Sequence, residues 1–222
     1  AGEVMIEPKL DGVRTIAIIY ATGNVMLYSR NGKEFENFPH IAKELSKIAD
    51  TFRSHDTDAL VIDGEITGKS FQELMRGATK KDHTATDSVF NVFDFMILED
   101  FKRGFTNMSQ IDRLLALESI VNRVEMQNVV MVKGKQINLD EPEAHEFMAK
   151  YANDCVAEGY EGIMIKKLDA PYECRRSTFW MKWKPVITVD LEVIDIEEGT
   201  GRNTGRLGAL VCEGVDEDRT IR

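Results

Sequence analysis

Cysteine is scarce in this sequence and badly placed for chemistry. Cys155, Cys174 and Cys212 lie far apart and form no C-x-x-C pair, which excludes the usual thiol zinc and redox arrangements and fits a reducing, intracellular compartment. The histidines at positions 40, 55, 83 and 145 never fall at the i, i+4 spacing of a helical metal site, so they read as surface or packing residues. No apolar run approaches the roughly 18 residues that a membrane span requires, and the first residues lack the charged and apolar regions of a signal peptide. A soluble, untargeted protein is expected, with no membrane partner. No internal repeat or single-sign charge block is visible, which excludes a repeat array and a disordered tail. The chain begins without Met and stops in a strand-like segment at Arg222, and so reads as a fragment.

What is present is enough for a globular protein. Of 222 residues, 43% are hydrophobic, sufficient for one substantial core and a small second module. A net charge of -10 weighs against nucleic-acid binding, because phosphate contacts need Lys and Arg. Local distribution matters more than the sum. Basic residues gather at Arg76, Lys80 and Lys81, at Arg175 and Arg176, and at Lys182 and Lys184.

Alternating and apolar runs predict strands over Val4–Glu7, Thr15–Ala21, Val25–Ser29, Ala59–Glu65, Val89–Leu98, Gly162–Lys166, Phe179–Lys184, Asp190–Glu198 and Leu207–Glu213, punctuated by turn signals such as Asp11-Gly12 and Asn31-Gly32. Pro39 opens one amphipathic helix carrying Ile41, Leu45, Ile48, Ala49 and Phe52. Ser70 and Glu73 form a capping box for a short helix. Ser109 caps a helix to about Val124, and Pro142 opens another with the stripe Ala144, Phe147, Met148, Tyr151, Ala152 and Cys155, ended by Gly159. Strands outnumber helices and several adjoin through tight turns. That predicts an α+β fold of antiparallel sheets flanked by helices rather than a doubly wound parallel sheet. Lys184-Pro185 marks a boundary, giving a domain over 1–185 and the incomplete start of a small β-barrel over 186–222.

The segment Glu7-Pro8-Lys9-Leu10-Asp11-Gly12-Val13-Arg14 is the most informative. A lysine leaves a strand into a turn, and an arginine follows five residues later. On its own this is equally well a hairpin turn with a solvated Lys9 beside it. As a nucleophile, Lys9 must be neutral, and freeing an amine of reference pKa near 10.4 at pH 7 costs about 4.6 kcal/mol unless positive charge or desolvation lowers it.

The segment resembles K-x-D-G-x-R, the first motif of the covalent nucleotidyltransferase superfamily of ATP-dependent DNA ligases, RNA ligases and mRNA capping enzymes. Ser29-Arg30-Asn31-Gly32, Asp63-Gly64-Glu65, Phe93-Asp94, Glu161-Gly162-Ile163-Met164-Ile165-Lys166 and Trp180-Met181-Lys182-Trp183-Lys184 are similar to the later motifs, in order. The likeness is strongest to ATP-dependent DNA ligases. The compact spacing and the Val186–Ile196 segment look like those of bacteriophage or viral enzymes.

The resemblance implies that AMP from ATP is loaded onto Lys9, transferred to the 5′-phosphate of nicked double-stranded DNA, and displaced by a 3′-hydroxyl. It implies that Glu65 accepts the ribose hydroxyls and that Phe93 stacks on adenine, although from its apolar run alone Phe93 reads as core. Glu7 would meet the purine amino edge, and Lys182 and Lys184 the α-phosphate. Arg14 and Arg30 would hold the DNA 5′-phosphate or lie beside the adenylate, and Glu161 would ligate Mg²⁺. The likeness also implies that 186–222 begins an OB-type barrel, whose final basic motif is not found before Arg222. A monomer is expected. An RNA ligase or a GTP-dependent capping guanylyltransferase is the nearest alternative, and a noncatalytic scaffold the alternative from another class.

Overall fold

The computed structural model describes residues 2–52, 57–68, 74, 86–185, 190–216 and 219–221. The chain divides into two compact units, Ala1–Lys184 and Pro185–Arg222.

One sheet of the first unit runs β3 (Val25–Ser29), β2 (Val13–Tyr20), β4 (Ala59–Thr67), β5 (Val89–Ile97), β7 (Val129–Met131) in space. Its neighbours are antiparallel except for the parallel β5–β7 pair. Along β2, Thr15, Ala17 and Ile19 are buried and their neighbours partly so, because both faces are covered. Ala17 and Ile19 join Leu27, Ile62, Phe90 and Val92 beneath α1 (Pro39–Ser46) and α4 (Gln110–Val121). Ile16, Ile18 and Tyr20 pack with Val61, Met96 and Tyr172 on the other side. Two covered faces explain why β4 opens as the unbroken apolar run Ala59-Leu60-Val61-Ile62. Leu60, Val61 and Ile62, so buried, each contribute on the order of 2 kcal/mol.

The second sheet runs β11 (Trp180–Trp183), β9 (Ile163–Lys167), β1 (Glu3–Pro8), β8 (Lys135–Asn138), all antiparallel. Val4, Ile6, Ile163 and Ile165 pack from one face onto Ala152 and Cys155 of α5 (Ala144–Ala157). With a side-chain period of two, the alternate residues of these strands are left for the opposite face. A two-stranded ribbon, β6 (Phe105–Thr106) with β10 (Tyr172–Glu173), follows α3 (Leu98–Arg103). Among the described residues no helix is long and apolar enough to cross a membrane.

The α+β architecture matches expectation, with differences of detail. The single helix expected from Pro39 is two, α1 and α2 (Ala49–Phe52). The amides of Lys47 and Ile48 bond to the carbonyls of Glu44 and Leu45, and these i→i−3 bonds tighten the chain and break the α-helical ladder. Ile48, Ala49 and Phe52 stay buried all the same. Leu98 starts α3 instead of ending β5. Ser109 caps α4 by accepting from the Asp112 amide, but that helix ends at Val121 rather than Val124. Phe147, placed in the apolar stripe of α5, is exposed. Strands β6, β7, β8 and β10 and helix α3 were not foreseen. The Ser70–Glu73 capping box lies outside the described residues.

The second unit is an antiparallel sheet of β12 (Glu192–Glu198), β13 (Leu207–Asp216) and β14 (Arg219–Ile221). A short 3₁₀ turn, Gly201–Asn203, makes the expected Gly-rich link between the first two strands.

Candidate active site

Strand β1 sits inside the second sheet and ends beside the start of β9. The Lys9 amide donates to Gly162 O at 2.8 Å, and the Glu161 amide donates to Lys9 O at 3.0 Å. This reciprocal pair brings the two side chains together, and Lys9 Nζ donates to Glu161 Oε2. Lys184 Nζ reaches the same oxygen at 2.7 Å. Burial alone would raise the Glu161 pKa, but the hydrogen bonds and charges of Lys184 and Lys9 outweigh it and hold the carboxyl below its ordinary value. Gly162, with φ of +137°, allows the turn. A Cβ there would collide with the carbonyl of Trp183.

Register decides the rest of this wall. Glu7 lies across from Met164, and Met164 from Lys182; one step along, Lys166 lies across from Trp180. Glu7, Met164, Lys166, Trp180 and Lys182 therefore share a face, and all line one cleft. At its base the buried Glu7 carboxylate meets Lys166 Nζ at 2.6 Å. Burial pushes the Glu7 carboxyl up even against the pull of Lys166. The ammonium of Lys166 also lies 4.4 Å from the ring centres of both Phe93 and Trp180, a cation–π arrangement that helps a charge remain in the interior.

The five-stranded sheet supplies the facing wall. Arg14 pairs in register with Glu65. On β5, Asp94 opposes Asp63 and Val92 opposes Gly64, so Phe93 is the extra residue of a β-bulge. A bulge re-aims the side chain it carries, which takes Phe93 out of the core that its apolar run suggests and into the cleft. Glu65 carries a pKa raised to about 7: burial drives it up, Lys9 and Arg14 oppose, and Asp63 and Glu161 add to the rise. Arg14 donates from Nε and Nη2 to buried Asp63 at 3.0 and 2.6 Å, and from Nη2 to the Tyr172 hydroxyl at 3.2 Å.

The enclosed space is about 330 Å³, lined by Glu7, Lys9, Arg14, Arg30, Glu65, Phe93 and Lys182 among others. Glu161 and Lys184 join it through Lys9. The residues given a role by the resemblance, Glu7, Lys9, Arg14, Arg30, Glu65, Phe93 and Lys182, thus line one cleft, with Glu161 and Lys184 bonded at its edge. A neighbouring groove of about 650 Å³ shares Arg14, Arg30, Trp180 and Lys182 and adds Arg175 and Arg176. The basic Arg76, Lys80 and Lys81 lie outside the described residues. Among the residues of the cleft that had been given no role are Lys166 and Trp180. The signal was present, since each stands two residues along a strand from a residue already singled out, Met164 within its motif and Lys182 as a cation.

Residues 1–184 match the family model described as ATP dependent DNA ligase domain. A "Probable DNA ligase" of Streptomyces coelicolor is 30% identical over 215 residues, which is 94% of this chain and 40% of that protein. One of Kineococcus radiotolerans is 30% identical over 210 residues, 93% of this chain and 39% of that protein. The chain thus spans about 40% of the length of these curated relatives. Among solved structures, Pmar-Lig_PreS3 is 38% identical with a TM-score of 0.89, over 99% of this chain and 51% of that one. The ATP-dependent DNA ligase from bacteriophage T7, solved in complex with ATP, is 19% identical and shares the fold at a TM-score of 0.62, over 96% of this chain and 74% of that one. With its motifs gathered on one cleft and its first unit matched throughout, this chain belongs to the ATP-dependent DNA ligase domain family.

Proposed function

We propose that this chain is the nucleotide-binding catalytic core of an ATP-dependent DNA ligase, charging Lys9 with AMP and passing that AMP to the 5′-phosphate of nicked double-stranded DNA. The observation that carries the reading is the convergence of Lys9, Glu65, Phe93 and Lys182 on one cleft, with Glu161 and Lys184 bonded at its edge. The names of the relatives and the family of the first unit support it.

In the first step the Lys9 amine attacks the α-phosphorus of ATP. An N–P bond forms, the α–β P–O bond breaks, pyrophosphate leaves and the amine gives up a proton. A 5′-phosphate oxygen of DNA then attacks the same phosphorus and the lysine leaves. Finally a 3′-hydroxyl attacks the DNA phosphorus and expels AMP, sealing the nick. Phe93 would stack on adenine, Glu7 would accept from its amino group, and Glu65 would accept from the ribose hydroxyls. Lys182 and Lys184 would bear on the α-phosphate, where positive charge fixed in advance favours the charge that builds up in transfer. Arg30, exposed at the mouth, and Arg14 would face the DNA 5′-phosphate or the adenylate, Arg14 by exchanging part of its bond to Asp63.

The described residues hold no group of three or more His, Cys, Asp or Glu able to bind a metal. One carboxylate suits Mg²⁺ nevertheless, since this ion keeps most of its waters and takes phosphate oxygens. Glu161 would hold it, and the ion would supply further neutralisation of phosphate charge. Glu161 otherwise anchors the Lys9 side chain, so its engagement elsewhere frees the amine. We assign residues 186–222 to the opening strands of an OB-type barrel.

Incubation with α-labelled ATP, GTP or NAD, followed by denaturing electrophoresis, tests the reading. Label from ATP should be retained on the wild-type chain and fall to background in Lys9→Ala with unchanged circular dichroism. Retention from GTP alone, as for a capping enzyme, or labelling of Lys9→Ala would refute it.

A further inference from the structure

Trp180 is shared by the cleft and the neighbouring groove, and its indole is held from behind. Nε1–H donates to Gln110 Oε1 at 2.9 Å. Gln110 lies on α4, is wholly buried, and lines neither space. Its Oε1 also accepts from Arg113 Nη2 at 2.9 Å, and its Nε2 donates to Asp94 Oδ2 at 3.1 Å. Arg113 is tied in turn to Asp94, by Nε at 2.7 Å and Nη2 at 3.1 Å, and to the Ala170 carbonyl at 3.2 Å.

This wiring leaves the Gln110 amide one orientation. Flipping it would face its NH₂ toward two N–H donors and its oxygen toward a carboxylate. The indole is therefore fixed in the plane of the ring as well as by packing. Its edge contacts reach Phe93 at 5.8 Å and Tyr172 at 5.5 Å between ring centres. The same Asp94 that anchors Gln110 follows Phe93 directly on β5, so both aromatic walls of the cleft depend on one buried cluster.

We propose that Gln110 is a positioning residue for nucleotide binding. By accepting the indole N–H it locks Trp180 against Phe93 and sets the shape of the nucleobase end of the cleft before ATP arrives. The inference rests on the ATP reading above for the identity of the ligand. Lys9 and Lys184 are both bonded to Glu161 rather than to Trp180, so a loosened indole should weaken capture of ATP more than the transfer step.

The test uses the 222-residue chain in single-turnover labelling with ATP, comparing Gln110→Met, Trp180→Phe and the double variant. Gln110→Met should raise the half-saturating ATP concentration roughly three- to tenfold, the scale of one lost hydrogen bond. The limiting rate should stay within about twofold, as expected when only binding is affected. Trp180→Phe removes the N–H, and adding Gln110→Met to it should change nothing more. A ¹H–¹⁵N spectrum gives indole signals from Trp180 and Trp183, and Gln110→Met should move that of Trp180 alone. An additive double variant, an unmoved Trp180 signal or an unchanged half-saturation would overturn the proposal. Should Gln110→Met fail to fold, Trp180→Phe decides, and wild-type half-saturation in that variant overturns it equally. A wild-type chain that takes no label from ATP would defeat the ligase reading instead, and the indole signal would still report whether Gln110 holds Trp180.

Discussion

Replacing Glu65 by Gln should change how stability depends on pH, in a direction that the cleft dictates. In the fold this carboxyl titrates near 7 rather than at its ordinary 4.5. Burial disfavours the carboxylate more than Lys9 and Arg14 favour it. Between these two values the folded chain binds a proton that the unfolded chain has lost. Unfolding releases it, and stability therefore falls as pH rises through this window. The full shift is worth about 3 kcal/mol, and the part that develops between pH 5 and pH 8 is about 2 kcal/mol before the side chain's partial exposure is discounted. Glu65→Gln removes the titration and leaves a similar shape. The assay is urea unfolding of both proteins, without nucleotide, at pH 5, 6.5 and 8. The variant should gain on the wild type steadily, by roughly 1 to 2 kcal/mol across that range. Curves for the two proteins that stay parallel from pH 5 to pH 8 would refute the claim that the cleft desolvates this carboxyl.

Two further predictions concern the frame of the site. Arg113 and Asp94 are wholly buried and paired, so Arg113→Met leaves a carboxylate without its partner and should lower the unfolding free energy by about 3 to 5 kcal/mol, read by chemical denaturation. Asp94→Asn with Arg113→Met should recover part of that loss, since no buried charge then remains. Gly162→Ala places a Cβ against the Trp183 carbonyl at a backbone angle that L side chains rarely adopt. It should part the Lys9–Glu161 backbone pair and reduce ATP labelling at least tenfold, with a destabilisation of about 1 to 3 kcal/mol. Full labelling in this variant would mean that Gly162 does not set the position of Glu161.

The candidate site was legible locally because each motif is a short run whose residue types suit the proposed chemistry. A lysine at a strand end, carboxylates at strand ends and cations two apart can be recognised one segment at a time. Phe93 shows where local reasoning stops. Its apolar run assigned it to the core, and only the pairing of β5 with β4, with its slip in register between Asp63 and Gly64, a property of two strands at once, shows it turned to the cleft. Strand β8 escaped for a similar reason: Lys135-Gln136-Ile137-Asn138 has no strong pattern of its own and is a strand because β1 offers it hydrogen bonds.

By itself, then, the sequence determined the candidate residues that gather in the cleft, the succession of most strands, and a core large enough to hold them. Only the tertiary structure decided that Glu7 faces Lys166, that Arg14 is tied to Asp63, and that Gln110, on a helix outside every motif, holds Trp180. Those pairings join residues from 49 to 159 positions apart, as in Arg14 with Asp63 and Glu7 with Lys166. Side-chain type limits which partners are possible, but strand register and the burial of both groups select among them, and neither is a property of any one stretch of chain.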